Sequence, residues 1–290
     1  MPTRPLQADG RWLVTGAGGM LGRDVLAALD GRDVRATTRA DLDITSYDEV
    51  AAAVTGVDVV LNAAAWTAVD DAETAEAAAF TANGTGVANL ARACAGSGAW
   101  LIHLSTDYVF DGQATTPYRE DAVLAPVGAY GRTKAAGEWA IGAYAPNQSY
   151  VVRVAWLYGE HGPSFVRTMN RLAGERDVVD VVDDQLGQPT WSVDVAARLV
   201  AMADAALPAG TYHATASGQT TWYGLARRVF ELGGHDPDRV RPTTSDRFPR
   251  PAPRPAYSVL SHEGWAGTGL EPPRDWRSAL DAAWPAVVAP

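Results

Sequence analysis

The stretch TGAGGMLG, residues 15–22, decides the fold. It follows the apolar run RWLVTG (residues 11–16) and precedes a segment with apolar residues at helical spacing (residues 20–29). Glycines let the backbone turn tightly and approach a pyrophosphate, whose charge is favoured by a helix N-terminus. This order is typical of a dinucleotide-binding unit, and the alternative is an ordinary strand-to-helix turn. The predicted contacts here are Gly16, Gly19, Met20 and Leu21.

The alternation of strand and helix continues outward from this turn. Apolar runs predict strands near residues 11–16, 33–38, 57–65, 100–105, 150–156 and 210–214. Helical spacing predicts helices near residues 20–29, 46–54, 77–95, 130–143, 164–172 and 193–206. Ser46 with Glu49 three residues later predicts a capping box. Repeated βα units favour an α/β fold with a doubly wound parallel sheet.

The rhythm changes after about Tyr158. Residues 242–257 are too rich in proline for a sheet interior and are predicted to form a loop over a site. We therefore predict a dinucleotide-binding domain and a smaller C-terminal α/β lobe that binds the substrate. The first comprises residues 1–157 plus about 191–214, and the second residues 158–190 plus about 215–290.

Composition excludes several classes of protein. Acidic residues number 34 against 24 basic ones, and no basic run occurs, so nucleic acid is a poor partner. Cys94 is the only cysteine, which rules out an internal disulfide and suits a reducing compartment. Neither a signal peptide nor a run of about 20 apolar residues is present, so we expect a cytoplasmic protein with no membrane partner.

The end of the second strand indicates which dinucleotide is bound. A carboxylate there would accept hydrogen bonds from the ribose hydroxyls of NAD. The sequence instead reads TTRADLD (residues 37–43), with Arg39 before any acid. Because arginine pairs with a 2′-phosphate, NADPH is favoured and NADH stays possible. The alternative is that Arg39 is a solvated loop charge.

Two clusters follow at the predicted cleft. Ser105, Thr106 and Asp107 end a central strand, where parallel sheets bind ligands; the alternative is a turn capped by its own side chains. Tyr130 and Lys134 lie four residues apart in YGRTK, on one face of a helix. A phenol has a pKa of about 10, which a nearby ammonium would lower. Tyr130 is thus a candidate acid for a ketone receiving hydride, although such pairs also occur on ordinary helices.

These motifs together resemble the extended short-chain dehydrogenase/reductases and, more narrowly, the dTDP-4-dehydrorhamnose reductase family. The resemblance covers nearly the whole chain. It rests on TGAGGMLG, LDIT from residue 42, NAAAWTAVDDAE from residue 62, the segment around Asn83, STDYVFDG from residue 105, YGRTKAAGE from residue 130, RVAWLYG from residue 153, DDQLGQPT ending at residue 190, and RPAYSVL from residue 254.

The resemblance implies a Rossmann sheet and the reduction by NADPH or NADH of the 4-keto group of a dTDP-6-deoxyhexose, giving dTDP-L-rhamnose. It assigns catalysis to Thr106, Tyr130 and Lys134. Besides the glycine turn, the implied cofactor contacts are Arg39, Asp43, Ile44, Ala63, Ala64, Ala65, Ser105, Tyr130 and Lys134. The implied substrate contacts are Val69, Thr106, Asp107, Tyr108, Phe110, Tyr130, Trp156, Gln185 and Arg254. Phe110 and Trp156 have an alternative as core aromatics.

The sequence departs from the family pattern in two places. Some relatives form a metal-bridged dimer through glutamates, and Asp24 and Val193 stand at the matching positions, so we predict no metal and leave a homodimer possible. Ser164 replaces an expected asparagine in GPSF. Related reductases act on other dTDP-4-keto-deoxysugars, and one related class is a non-catalytic regulatory subunit. Retention of Tyr130 and Lys134 argues against a regulatory subunit.

Overall fold

The computed structural model describes residues 6–289. The strands are β1 Trp12–Thr15, β2 Val34–Thr37, β3 Val59–Asn62, β4 Trp100–Thr106, β5 Ser149–Val154, β6 Leu157–Tyr158, β7 Val179–Val182, β8 Leu186–Gly187, β9 Thr190–Trp191, β10 Gly210–His213, β11 Thr220–Thr221 and β12 Val240–Thr243. The α-helices are α1 Met20–Ala28, α2 Tyr47–Val54, α3 Val69–Ala72, α4 Glu76–Phe80, α5 Gly86–Ser97, α6 Ala129–Tyr144, α7 Phe165–Glu175, α8 Ser192–Asp204, α9 Trp222–Leu232 and α10 Trp276–Val287.

Six strands form one parallel sheet in the order β10-β5-β4-β3-β1-β2. The order reverses beside β1, which places a crevice at the carboxyl ends of β1, β3 and β4. β1, β3, β4 and β5 are buried along their whole length, as expected when helices cover both faces of a sheet. The predicted doubly wound parallel sheet is confirmed.

Two hydrophobic clusters cover the faces of this sheet. One packs α1 and α8 against β1, β4 and β5, and the other packs α2, α5 and α6 against the opposite face. Ser46 accepts from the amide of Glu49 at 3.5 Å, as the predicted capping box requires, whereas the Glu49 carboxylate accepts from the amide of Asp43. Cys94 is buried on α5, where burial raises the pKa of its thiol to about 12.

A third hydrophobic cluster joins α7, α9 and α10 with β7 and β12. Helices α9 and α10 were missed from the sequence pattern. Pro242 lies within β12, contrary to the prediction of a loop beginning there, because β12 pairs with β7 alone and proline is tolerated on such an edge. Ser245 is then held by Asp184, and Arg254 by Asp70 on α3, so the remaining loop is fixed near both ends.

Candidate active site

A cleft of about 1850 Å³ opens at the carboxyl end of the sheet. All of the predicted cofactor contacts line it: Gly16, Gly19, Met20, Leu21, Arg39, Asp43, Ile44, Ala63, Ala64, Ala65, Ser105, Tyr130 and Lys134. The cleft also extends along the loop after β6 to the polar side of α7, which was not predicted. The predicted cofactor residues therefore lie along one cleft, although they come from segments far apart in the chain.

The glycine turn fits a dinucleotide for a steric reason. Gly16 has φ +70°, and a Cβ there would lie 2.5 Å from the amide nitrogen of Ala64. A Cβ at Gly22 would collide with the carbonyl of Gly16, so the turn can close on α1 only without side chains. Among the described residues no side chain caps α1 at Gly19, which leaves its first amides for an anion.

At the far end of the cleft, the two acids that follow Arg39 are engaged in hydrogen bonds within the protein. Asp41 accepts from both the amide and the hydroxyl of Thr38, at 2.9 and 2.7 Å, and these bonds lower its pKa. The pKa of Asp43 is lowered in the same way, by hydrogen bonds from the amide and hydroxyl of Thr45. Both acids therefore hold local turns, while Arg39 is exposed at the cleft wall.

The phenol of Tyr130 lies at the floor of the cleft on α6. Burial raises its pKa, and the nearby charge of Asp107 raises it further, whereas a hydrogen bond with Thr106 opposes both. The expectation that Lys134 lowers this pKa is not met; Lys134 Nζ donates instead to the carbonyl of Leu104. The phenol consequently holds its proton at neutral pH.

Lys134 ends a chain of buried hydrogen bonds across the sheet, here called the lysine row: Thr15, Asn62, His103 and Lys134. The Thr15 hydroxyl donates to Asn62 Oδ1 at 2.6 Å, and Asn62 Nδ2 lies 2.9 Å from His103 Nδ1. His103 Nε2 lies 3.4 Å from Lys134 Nζ, which donates to the Leu104 carbonyl at 2.6 Å. Burial lowers the pKa of Lys134 to about 8, and burial together with that lysine lowers the pKa of His103.

A second buried row, the ion-pair row, runs through neighbouring strands: Ser105, Glu138, Arg153 and His213. The Ser105 hydroxyl donates to the carboxylate of Glu138, which accepts from Arg153 at 2.7 and 3.0 Å. Arg153 also donates to His213 Nε2 at 3.2 Å, and His213 Nδ1 lies 2.9 Å from the Ser261 carbonyl. The two charged groups of this row, Glu138 and Arg153, therefore pair with each other.

The predicted substrate residues divide into two groups. Asp107, Tyr108 and Tyr130 lie together, with the two tyrosine rings edge to face at 5.7 Å. Burial raises the pKa of Asp107 to about 6, and its Oδ2 is buried without a hydrogen-bond partner in the described structure. An orphaned buried carboxylate oxygen is a candidate for a ligand contact. Val69 is half-buried at the start of α3.

The structure gives Phe110, Gln185 and Arg254 partners within the protein. Phe110 is core: its ring stacks on Tyr118 at 4.3 Å and lies 5.0 Å from the Arg153 guanidinium. Gln185 uses its amide to join Trp222 and Ser245. Arg254 forms two bonds of 2.9 Å with Asp70, so a diphosphate would have to displace that carboxylate. Sequence patterns do not reveal such internal partners.

Trp156 packs against another aromatic side chain. Its ring stacks on Trp222 at 3.5 Å, and its backbone has φ +46°, a strained conformation for a non-glycine residue. It is half-buried, so part of the ring stays accessible. Ser164, noted as a departure from the family, caps α7 by accepting from the amide of Arg167 at 3.2 Å.

Sequence reasoning missed the structural role of Asn83. This buried amide lies in a π-helical segment, Thr81–Thr85, between α4 and α5. It hydrogen-bonds the backbone amide and carbonyl of Trp66, which lines the cleft, and the hydroxyl of Thr133 on α6.

Sequence reasoning also overlooked a signal at Lys134, which is the only lysine in the sequence.

Two negative findings concern the described part of the chain. No group of three histidine, cysteine or acidic side chains within residues 6–289 has the geometry to hold a metal ion. Asp24 is buried with His161 Nε2 at 3.9 Å, and Val193 is exposed. Over the same residues, none of the helices combines the length and apolar character that a bilayer crossing needs.

The doubly wound sheet, the glycine turn and the Tyr130–Lys134 pair define an extended short-chain dehydrogenase/reductase. Comparison with known proteins identifies the family: the model described as RmlD substrate binding domain matches residues 10–288, so the chain belongs to it. The chain is 54% identical over 285 residues to a dTDP-4-dehydrorhamnose reductase of Streptomyces griseus, covering 96% of this chain and 94% of that protein.

Two further relatives bear on substrate and cofactor. A dTDP-4-keto-6-deoxy-D-glucose reductase of Streptomyces niveus is 50% identical over 283 residues, covering 96% of this chain and 98% of that one. A crystal structure of dTDP-4-dehydrorhamnose reductase from Bacillus anthracis, in complex with NADP, superposes with a TM-score of 0.91 at 33% identity, covering 95% of this chain and 98% of the other.

Proposed function

We propose that this protein reduces the 4-keto group of a dTDP-4-keto-6-deoxyhexose with NADPH, most specifically dTDP-4-dehydro-L-rhamnose to dTDP-L-rhamnose. One observation carries the proposal: Tyr130 and Lys134 lie one helical turn apart in the same cleft as the glycine turn. The names of the relatives in Streptomyces griseus and Streptomyces niveus supply the substrate class.

In this proposal Tyr130 donates its proton to the ketone oxygen. Its raised pKa is useful in this direction, because a phenol that stays protonated at neutral pH is available as the acid. The hydroxyl of Thr106, which donates to Asp107 at 2.9 Å in this structure, would turn to the same oxygen when the substrate is bound. NADPH supplies the hydride when bound.

Cofactor binding is assigned to the residues that line the cleft. The amides at the start of α1 and the side-chain-free turn at Gly16 would hold the pyrophosphate. Arg39 would pair with the 2′-phosphate, since the neighbouring acids are engaged in local turns. Ser105 and Lys134 would hold the nicotinamide ribose through hydrogen bonds.

The substrate side is assigned to Val69, Asp107, Tyr108 and Trp156. Asp107 has a buried carboxylate oxygen without a partner, which suits a sugar hydroxyl. Tyr108 and Trp156 offer ring surface to a deoxy-sugar and its methyl group. The contacts expected for Phe110, Gln185 and Arg254 stay predictions, and each would require its side chain to exchange a partner within the protein for the substrate.

The relatives also favour a second candidate substrate. One is named for dTDP-4-dehydrorhamnose and another for dTDP-4-keto-6-deoxy-D-glucose, at similar identity. The substrate residues assigned above would serve either sugar, because they address features that both share. A regulatory, non-catalytic role is the remaining alternative, and it would leave the Tyr130–Lys134 pair without a purpose.

Product analysis tests the proposal. The purified protein is incubated with NADPH and a panel of dTDP-4-keto-6-deoxysugars differing at C3 and C5, and the products are identified by mass spectrometry and NMR. We expect NADPH oxidation matched by a 4-hydroxy product, fastest with dTDP-4-dehydrorhamnose. Binding of NADPH without turnover on any sugar would favour the regulatory alternative and reject the proposal.

The remaining assignments concern organisation. We infer that residues up to 157 plus about 191–214 form the NADPH-binding domain, and residues 158–190 plus about 215–290 the substrate lobe, since α7, α9 and α10 share their own hydrophobic cluster. A cytoplasmic location is proposed from the single unpaired cysteine, Cys94. A homodimer stays a prediction.

A further inference from the structure

The orientation of the Asn62 amide decides the protonation of His103. Two donors converge on Asn62 Oδ1: the hydroxyl of Thr15 at 2.6 Å and the backbone amide of Ala64 at 3.1 Å. A backbone N–H can only donate, so the atom facing Ala64 must be the amide oxygen. The opposite orientation would place two donors against each other. Asn62 Nδ2 therefore faces His103.

The amide nitrogen of Asn62 fixes the tautomer of His103. Because Nδ2 carries only hydrogens, His103 Nδ1 must accept from it at 2.9 Å. The ring is fully buried, and its lowered pKa keeps it neutral. A neutral imidazole that accepts at Nδ1 carries its hydrogen on Nε2. That Nε2–H lies 3.4 Å from Lys134 Nζ.

An ammonium at Lys134 would conflict with this donor, because it has three hydrogens and no lone pair. A neutral amine removes the conflict: it donates to the Leu104 carbonyl at 2.6 Å and accepts from His103 Nε2. We propose that His103 is a positioning residue whose Nε2–H, fixed through Asn62, favours the neutral amine of Lys134. This inference concerns the site of the proposed function, but its test does not require turnover.

Other groups around Lys134 also affect its pKa. Tyr130 and Glu138 lie on its own helix, and the charge of Glu138 raises the pKa of the lysine. Arg153 on β5 pairs with Glu138 and moderates that effect. Burial favours the amine. The residue type is consistent with a titrating group, because the sequence uses arginine at every other basic position and a guanidinium does not lose its proton.

The sequence itself makes the test direct. Since Lys134 is the only lysine, protein labelled with lysine enriched in ¹³C at the ε carbon gives a single lysine resonance to follow against pH. In the unliganded wild type we expect a midpoint at or below about 8, the value to which burial lowers the pKa of Lys134. In His103→Gln the amide can turn its oxygen toward the ammonium, so the midpoint should rise by about one unit or more, tenfold in the equilibrium.

His262→Gln is the control, since it changes a half-buried histidine that belongs to neither row and lies 3.0 Å from the hydroxyl of Thr215, and it should leave the Lys134 midpoint unchanged. An ordinary midpoint of about 10.4 in the wild type, or equal midpoints in wild type and His103→Gln, would overturn the proposal.

The ¹⁵N spectrum of histidine-labelled wild-type protein provides a second measurement that needs no variant. It should show a neutral, buried ring protonated at Nε2, hydrogen-bonded to Asn62 at Nδ1. A His103 ring that is charged, or that carries its hydrogen on Nδ1, would overturn the proposal, even if His103→Gln does not fold.

Discussion

The lysine row and the ion-pair row occupy equivalent places at the carboxyl ends of neighbouring strands, yet they treat charge in opposite ways. In the ion-pair row, Glu138 and Arg153 neutralise each other through two short hydrogen bonds. In the lysine row, Lys134 has a carbonyl and a neutral histidine as its partners, without a carboxylate in direct contact. A paired buried charge keeps its ionisation state, whereas an unpaired one is free to titrate.

This difference predicts that substitutions in the two rows affect different properties, stability in one case and turnover in the other. The pair of Glu138 and Arg153 lies behind the cleft and fixes the back of α6, so changes there are expected to appear as lost stability. Lys134 and the adjacent Tyr130 line the cleft, so changes there are expected to appear mainly as lost turnover. Tyr130→Phe and Glu138→Gln test this division, and Asp107→Asn and Arg39→Ala test the cleft outside the two rows.

Tyr130→Phe should have the largest effect. Removing the phenolic proton removes the proposed acid, so turnover should fall by about 10²–10⁴-fold. The ring and its contact with Tyr108 are retained, so NADPH affinity, measured by fluorescence titration, should change little. Tyr144→Phe, at an exposed position on the same helix, is the matched control. Turnover equal to wild type would remove Tyr130 from the mechanism.

Glu138→Gln should break the ion-pair row. It leaves the guanidinium of Arg153 buried and without its counter-charge, which should lower the free energy of unfolding by about 3–5 kcal/mol in urea denaturation. Glu76→Gln removes a half-exposed partner of Arg132 and should cost under about 1 kcal/mol. Similar costs in the two variants would show that burial does not distinguish the pairs.

Asp107→Asn should change the pH dependence of stability. The pKa of Asp107 is raised to about 6, above the roughly 3.9 of an unfolded chain, so the folded state holds a proton between these values that the unfolded state has lost. Its contribution to stability therefore decreases as pH rises from about 4 to 6, by roughly 2–3 kcal/mol in all.

Denaturation of wild type and Asp107→Asn at several pH values measures this effect. The variant should gain stability relative to wild type as pH rises through that window. The exposed Asp180→Asn should show no such trend. A constant difference between Asp107→Asn and wild type across the window would mean that the carboxyl titrates normally.

Arg39→Ala should have the smallest effect, since Arg39 is exposed at the far end of the cleft from both rows. Loss of one solvent-exposed phosphate contact should reduce the preference for NADPH over NADH by about tenfold, measured as a ratio of kcat/KM values. Arg11→Ala, at the amino end of the sheet, should leave the ratio unchanged. An unaltered ratio in Arg39→Ala would make that arginine a solvated loop charge.

The elements with a strong local pattern were predictable. The glycine turn, the buried strands and the helix carrying Tyr130 and Lys134 follow from periodicity and from residues with special backbone freedom. The strand predicted for residues 57–65 ends earlier, at Asn62, because that side chain accepts the amide of Ala64 and turns the chain. Helices α9 and α10 pack in a separate cluster and were missed.

The sequence by itself determined the order of strands and helices around the central sheet, the position of the dinucleotide turn and the spacing of the phenol and the amine, because each depends on neighbours along the chain. Only the tertiary structure decided which polar groups have internal partners. It placed Gln185 and Arg254 in bonds of their own, and it brought Asn62 and His103 to Lys134 from separate strands. Tautomer and charge depend on contacts across strands, which no local pattern encodes.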